Sequence, residues 1–277
     1  MDVIHNGHSG DIIYSLPLVK HFCKKATFWI ANDVPSDMPD GMIHPNGKIM
    51  MPESAVEFLR PLLESQDYIE SVKHAPLSEM PAGMRLDFFR DWKMNTKAGN
   101  SADWLRKFYG IQTYSNMPWL SVEKANLDNP VICCFSRRYR NSEIDYSILK
   151  DIPNMWFVGL LEEYDFFKNR HGLDNLNFYK VKDALEMAQV IASAKFYFGN
   201  QTFGFSIAEA LKIPRALEAF EPASVVVPSA PTGMDYMTNL ALLNILLTQG
   251  FVKDQKLKNP IGATFHLYLG DEHGRFL

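Results

Sequence analysis

The chain has 277 residues, 47% of them hydrophobic and 13% aromatic, so it can bury a core of one large or two average domains and is not a disordered chain. Its formal charge of −4 argues against a nucleic-acid-binding protein, which carries a basic excess. The three cysteines form no disulfide framework, and neither a secretory signal nor a transmembrane segment is visible, so a cytoplasmic protein is expected.

The first half of the chain alternates short apolar runs with amphipathic segments, which is typical of an α/β protein with parallel strands. Pro17 is compatible with the first helix only near its first turn, or else at a kink. The elements expected in this half are strands at 3–4, 26–31 and 68–74, and helices at about 15–24, 53–64 and 102–109.

The second half predicts a more regular series of strands and helices. Its clearest helix covers 183–194, where Asp183 and Glu186 form a capping-box-like pair. The other elements expected here are strands at 131–135, 156–160, 177–181, 195–199 and 216–220, and helices at 146–150, 162–169, 204–213 and 235–249.

A polar stretch, SVEKANLDN (121–129), separates the two series and marks the expected domain boundary. We predict an N-terminal domain at 1–122 and a C-terminal domain at 123–277. The late helix is interpreted as core, with a second possibility that it packs back on the first domain. The cleft between the domains is the expected ligand site, because open α/β sheets bind ligands beyond the carboxyl ends of their strands.

The segment FYFGNQTFGFSIAEALKIP (196–214) predicts a strand, a polar turn and a helix start. The free N–H groups and the dipole at a helix start stabilise a bound phosphate. Asn200, Gln201 and Thr202 are therefore candidate residues for binding a phosphate-bearing ligand, called the donor below. Gly204 would let a ligand approach the backbone, and Glu209 could accept hydrogen bonds from ribose hydroxyls. The alternative is an ordinary strand–turn–helix with a solvated glutamate.

The segment FSRRYRN (135–141) follows the strand that opens the second series. Guanidinium groups pair well with diphosphate oxygens, which favours a phosphate-binding turn. The alternative is a solvated basic turn. The donor-binding candidates added by this region are Ser136, Arg137, Arg138 and Arg140, together with Gly159 near the end of the next strand.

No Asp-x-Asp pair and no Cys/His cluster with zinc spacing occurs in the sequence. We therefore expect no metal ion and no cofactor. Helix N–H groups and arginines would neutralise the phosphates of a bound ligand instead.

Three segments, in order, resemble the heptosyltransferase-type glycosyltransferases (glycosyltransferase family 9): GDIIYSLPLVKHF (10–22), FSRRYRN and ALEMAQVIASAKFYFGNQTFGFSIAEALKIP (184–214). The resemblance implies two Rossmann-like domains that face each other across a cleft (the GT-B type). It also implies hexosyl or heptosyl transfer from a nucleoside-diphosphate sugar to a hydroxyl acceptor. That acceptor is a glycan, a lipid-linked molecule or another hydroxyl compound.

Two departures leave other readings open. Gln201 stands where that family commonly has Asp, and Gln201-x7-Glu209 resembles the E-x7-E helix of retaining transferases, in which Glu209 would bind ribose. An inverting route is favoured. The alternatives are a nucleotide-sugar epimerase or hydrolase on the same fold, and a non-catalytic relative that only binds the nucleotide sugar.

The opening NGHSGDII resembles the family's Gly-Asp segment and is expected at the carboxyl end of the first strand. Asp11 is the predicted general base, and His8 is its rival because an unperturbed imidazole pKa suits the task. Gly7, Ser9 and Gly10 would let acceptor and sugar approach the backbone. The alternative is that Asp11 merely caps the first helix.

Overall fold

A computed structural model describes residues 1–36, 44–87, 101–111, 116–223 and 225–252 of the chain. Its described part contains two parallel sheets, one of four strands and one of six, connected by helices. The expected α/β class is therefore confirmed. None of the helices in these ranges has the length and apolar character needed to cross a membrane.

The four-stranded sheet has the order β3-β2-β1-β4, with every neighbouring pair parallel. The carboxyl end of β1 thus lies in the middle of the sheet. The elements are β1 (Asp2–His5), α1 (Ser9–Phe22), β2 (Ala26–Ala31), α2 (Glu53–Glu64), β3 (Ile69–Ala75), β4 (Met84–Arg85) and α3 (Ser101–Phe108).

Helix α1 begins at Ser9, six residues before the predicted start, so Pro17 lies in its interior. A proline has no N–H, and the carbonyl four residues earlier loses its helical partner. That carbonyl belongs to Ile13, and the indole N–H of Trp119 donates to it at 2.9 Å in a buried hydrogen bond. A side chain distant in sequence thus completes the helix, which the local pattern could not predict.

The six-stranded sheet has the order β10-β9-β8-β5-β6-β7, again with parallel neighbours. Taken as a unit, this is the strand order of a Rossmann fold, whose switch point falls between β5 and β8. The elements are β5 (Val131–Cys134), β6 (Met155–Val158), α4 (Leu161–His171), β7 (Leu176–Tyr179), α5 (Ala184–Ala192), β8 (Phe196–Gly199), α6 (Phe203–Leu211), β9 (Arg215–Glu218), β10 (Gly233–Tyr236) and α7 (Asn239–Thr248).

Two predictions in this half were wrong in detail. Residues Tyr146–Asp151 form a 3₁₀ helix, and the predicted helix at 235–249 is the strand β10 followed by α7. Pairing of β10 with β9 outweighs the helical pattern there. Helix α7 packs into the core of the six-stranded sheet, and so the interpretation as core holds and packing on the first domain is not observed.

The two sheets are joined by helices α1 and α2 of the first and α5 and α6 of the second, which share one cluster of buried apolar side chains. Phe58 and Phe203 meet edge to face across this seam at 6.4 Å. The backbone N–H groups of Trp119 and Leu120 donate to the carbonyl of Ala210 at 3.0 and 3.4 Å. The seam holds the two sheets in a fixed relation.

We predict that Trp119→Phe lowers the free energy of unfolding by about 1–3 kcal/mol, because the Ile13 carbonyl is left buried without a donor. In a Pro17→Ala background the new N–H at position 17 reaches that carbonyl, so the loss should be smaller. Urea denaturation of the four proteins measures the coupling. Trp156→Phe, which removes a hydrogen bond to Asn154, is the control. Equal losses in both backgrounds would contradict this account of the proline.

Candidate functional site

The basic loop after β5 is fastened at its first end by Asn200, which follows the neighbouring strand β8. The Asn200 side chain is fully buried. Its amide N–H₂ donates to the carbonyls of Arg138 at 2.6 Å and Ser136 at 3.2 Å, and its oxygen accepts the Ser136 N–H at 3.0 Å. These bonds support a left-handed turn at Tyr139, whose φ is 50°. Asn200 thus holds the loop, whereas the sequence predicted a contact with the donor.

The second end of the loop is fastened by Glu218, a fully buried carboxylate at the end of β9. It accepts from Arg140 Nε, with a shortest N–O distance of 2.9 Å, from the Asn141 N–H and from the Tyr146 hydroxyl at 2.7 Å. Arg140 is therefore the counter-charge of a buried carboxylate, which needs such a partner. Arg140 thus has a structural role, and its predicted contact with a diphosphate stays a prediction.

Arg138 lies between these two anchors and is half-buried. Burial lowers the pKa of its guanidinium, and the carboxylate of Glu163 opposes that shift. Its Nη1 is buried and has no hydrogen-bond partner among the described residues. Arg137 is exposed, with its guanidinium 4.4 Å from the ring centre of Phe166. A buried cationic donor without a partner indicates a site where an anion completes the hydrogen bonds.

Two residues after β6 border the same loop. Gly159 has a φ of 149°, and a Cβ there would lie 3.0 Å from the Phe157 ring, so packing and backbone conformation both require glycine. Glu163 lies in the first turn of α4, after the same strand. Burial raises the pKa of Glu163, and the charge of Arg138 opposes the shift. The sequence analysis did not identify Glu163. An acidic residue in the first turn of a helix that follows a strand could have indicated it.

Two residues that were predicted to bind the donor, Gln201 and Thr202, lie in the turn that leads into α6. Thr202 is the N-cap, and its hydroxyl accepts the Phe205 N–H at 3.2 Å. Gln201 is half-buried in the turn before it. A Cβ on Gly204 would lie 2.8 Å from the Tyr197 hydroxyl, so glycine here allows the helix to pack on β8. Packing by itself therefore requires glycine here, and the predicted approach of a ligand stays a prediction.

Glu209 is fully buried, so it is not the solvated glutamate of the alternative interpretation. Its surroundings do not fit the predicted contact with ribose either. Its carboxylate accepts from Arg215 Nε at 2.7 Å, from Lys212 Nζ at 2.5 Å and from the Ser229 hydroxyl at 2.6 Å. Burial lowers the pKa of Lys212 to about 8, and Glu209 opposes that shift. The predicted ribose contact is corrected because protein donors surround this carboxylate inside the fold.

The loop after β1 starts helix α1. His8 is its N-cap residue, and the His8 N–H donates to the carboxylate of Asp11 at 3.1 Å. The His8 ring lies with Nδ1 3.2 Å from the Met50 carbonyl and Nε2 3.4 Å from the Ser36 hydroxyl. The two ring nitrogens thus lie against a backbone carbonyl and a hydroxyl, and the side chain also takes part in a capping box with the backbone of Asp11. These contacts give His8 a structural task and disfavour it as the base.

The small residues of this loop have different surroundings. Gly7 is buried, and its N–H donates to the His5 ring at 2.8 Å. Ser9 and Gly10 are half-buried in the first turn of α1. A Cβ on Gly10 would lie 3.9 Å from the Ser206 hydroxyl of α6, in ordinary contact. The start of α1 therefore lies beside the start of α6.

His44 lies beside the start of α1, although sequence reasoning missed it. Its ring stacks on His8 with centroids 4.1 Å apart, and the His8 N–H donates to Asp11. Burial lowers the pKa of His44 to about 3; positive charge on His8 and Arg138 adds to this shift, and Asp11 opposes it. Because α1 begins beside α6, His44 lies near the boundary between the two sheets.

A separate cavity of about 330 Å³ lies on the opposite side of the seam, at the amino ends of the strands. Lys20, Gln66 and Tyr68 line it. The amide groups of Gln66 are satisfied there by Ser121 and neighbouring backbone. The carboxyl-end region around Arg138 brings together more of the predicted residues and is the better candidate.

We predict that Glu209→Gln lowers the free energy of unfolding by about 3–5 kcal/mol, because two buried cations lose their counter-charge. Urea denaturation measures it, and Glu162→Gln, at an exposed position of α4, is the matched control. A change in unfolding free energy as small as that of the control, together with weaker nucleotide binding, would contradict this structural role and support a contact between Glu209 and the donor.

Comparisons with solved structures identify the fold of the chain. No family profile and no curated protein matches the chain. Among solved structures, the chain is similar to E. coli heptosyltransferase WaaC with ADP, at 12% identity and a TM-score of 0.55, covering 90% of this chain and 100% of that one. It is similar to E. coli ADP-heptose LPS heptosyltransferase II at 11% identity and a TM-score of 0.51, covering 90% and 97%.

A glycosyl transferase family 9 structure from Veillonella parvula is similar at 11% identity and a TM-score of 0.50, covering 92% of this chain and 90% of that one. Identities this low carry the arrangement of the backbone and leave residue roles to the site itself. With its two Rossmann-like sheets, the chain has the GT-B fold of these glycosyltransferase structures.

Proposed function

We propose that the protein is a glycosyltransferase that moves a sugar from a nucleoside-diphosphate carrier to a hydroxyl acceptor. The observation that carries the proposal is Arg138, whose buried Nη1 has no hydrogen-bond partner in the described part of the chain. It lies at the β5/β8 switch point, where open α/β sheets bind nucleotides. The GT-B fold supports the same assignment.

The diphosphate lies against the loop after β5 in this proposal. Asn200 and Glu218 fix that loop before the donor arrives, so Arg138 needs little reorganisation to stabilise the leaving diphosphate. Arg137 and the turn at Gln201 and Thr202 border the same space. Because these groups supply the positive charge, the proposed reaction needs no metal ion and no cofactor.

Asp11 is the proposed general base. It takes the proton of the acceptor hydroxyl while that oxygen forms a bond to the anomeric carbon. The bond from this carbon to the diphosphate breaks, and the nucleoside diphosphate leaves towards Arg138. A base and a leaving group that come from different sheets support attack from opposite sides of the sugar, and hence inversion. We place the enzyme in the cytoplasm, in keeping with three buried, unpaired cysteines.

We predict that Arg138→Ala weakens donor binding by about ten- to a hundredfold, because one charge-assisted hydrogen bond contributes roughly 1.5–3 kcal/mol. ADP, GDP, UDP and their glucose conjugates are screened by thermal shift, and calorimetry in EDTA gives the affinity. Arg170→Ala is the control, because it removes an exposed arginine that lies over the Phe166 ring, as Arg137 of the same loop does. Unchanged affinity in a folded Arg138→Ala protein, or binding that requires a metal, would overturn the proposed donor site.

We predict that Asp11→Asn lowers the rate of nucleoside-diphosphate release by about 10²- to 10⁴-fold while donor affinity stays nearly constant. Asparagine keeps an oxygen that accepts the His8 N–H, so the helix cap survives and only the base is lost. His8→Asn serves as the comparison. Full turnover in Asp11→Asn, together with loss of turnover in His8→Asn, would identify His8 as the base instead. Release of the sugar without any acceptor would instead identify a hydrolase. The anomeric configuration of the product, measured by NMR, distinguishes inversion from retention.

A further inference from the structure

The His44 ring is held in one orientation by its own loop. Its Nδ1 accepts the Asn46 N–H at 3.1 Å, and the Gly47 N–H donates to the His44 carbonyl at 2.8 Å. The Asn46 side chain donates to the Met50 carbonyl at 2.7 Å, which also faces the His8 ring. The stack on His8 completes this support. His44 is thus positioned before any ligand binds.

These contacts also fix which ring nitrogen carries the proton. Because Nδ1 accepts a backbone N–H, the proton of the neutral ring resides on Nε2. The ring is half-buried, and Nε2 has no hydrogen-bond partner among the described residues. His44 therefore presents an unused N–H donor.

The position of this donor relative to the proposed reaction identifies its target. Under the proposed function, the diphosphate lies at Arg138 and the acceptor hydroxyl at Asp11. His44 stacks on His8, whose N–H donates to Asp11. Helix α1 begins beside α6, which follows the same strand as Asn200, the residue that holds the Arg138 loop, so His44 borders the region between Asp11 and Arg138. The chemical group between a leaving diphosphate and an attacking hydroxyl is the transferred sugar.

The protonation state of His44 suits that position. With a pKa of about 3, the ring is neutral throughout the physiological range. A glycosyl transition state carries positive charge on the sugar ring, which an imidazolium would oppose and a neutral imidazole does not. A neutral N–H donor can hold a sugar hydroxyl without this penalty.

We propose that His44, from the first domain, is a specificity-determining residue that donates its Nε2–H to a hydroxyl of the transferred sugar. The proposal rests on the proposed function and adds a contact that distinguishes a nucleotide sugar from the bare nucleoside diphosphate. It also gives the first domain a part in donor recognition.

The test compares two affinities in each protein: that of the nucleoside diphosphate and that of its glucose conjugate, chosen from ADP, GDP and UDP by binding to the unaltered chain. His44→Phe keeps a ring to stack on His8 but has no donor. His44→Gln keeps an N–H donor without the ring. His74→Phe, at a histidine of β3 that pairs with Glu57 and contacts Asn32, is the control.

We expect His44→Phe to weaken binding of the glucose conjugate by about three- to tenfold, with unchanged affinity for the bare diphosphate. His44→Gln should recover part of the loss, and His74→Phe should change neither affinity. Equal weakening of both ligands in His44→Phe, or no weakening, overturns the role of His44. If no diphosphate binds the unaltered chain, the proposed function itself fails, and the inference fails with it.

Discussion

The anchoring of the loop after β5 by two buried side chains is the constraint on which the site depends. Asn200 and Glu218 follow the two strands next in line across the sheet, and each satisfies groups that a tight turn cannot satisfy by itself. A buried polar group without a partner is costly, so the loop has little freedom to rearrange. Arg138 is left between the anchors with a buried Nη1 that no described residue hydrogen-bonds.

The same principle explains why neighbouring arginines have different tasks. Arg140 and Arg215 both pair with fully buried carboxylates, Glu218 and Glu209. Removing either partner would leave a charge in a medium that solvates it poorly. The two pairs lie at the two ends of β9. In the proposed function, the diphosphate is bound by cations whose charge is not already paired inside the fold.

The seam between the sheets positions the two halves of the site. Trp119 completes α1 at the carbonyl released by Pro17 and also bonds to the end of α6. Helices α1 and α6 also begin near each other, since a Cβ on Gly10 would lie 3.9 Å from the Ser206 hydroxyl, and each follows a strand at the centre of its own sheet. In the proposed function this arrangement brings the base and the leaving group to opposite sides of the sugar.

The sequence by itself determined the alternation of strands and helices, because apolar periodicity and capping are local properties. Ala26–Ala31 and Glu53–Glu64 have the predicted bounds, and Asp183 caps α5 as expected. It also located the two segments that meet at the β5/β8 switch point, since chemistry follows the carboxyl ends of strands. The interpretation of these segments as a nucleotide site came from residue types alone.

Only the tertiary structure decided which of those residues have capacity left for a ligand. Arg138 and Arg140 are alike in sequence, and a buried carboxylate 78 positions away from Arg140 distinguishes them. Glu209 was predicted to bind ribose, because its partners Lys212, Arg215 and Ser229 converge on it only in the fold. His44 carried no motif at all. Hydrogen-bond satisfaction is a property of three-dimensional neighbours, and no local pattern records it.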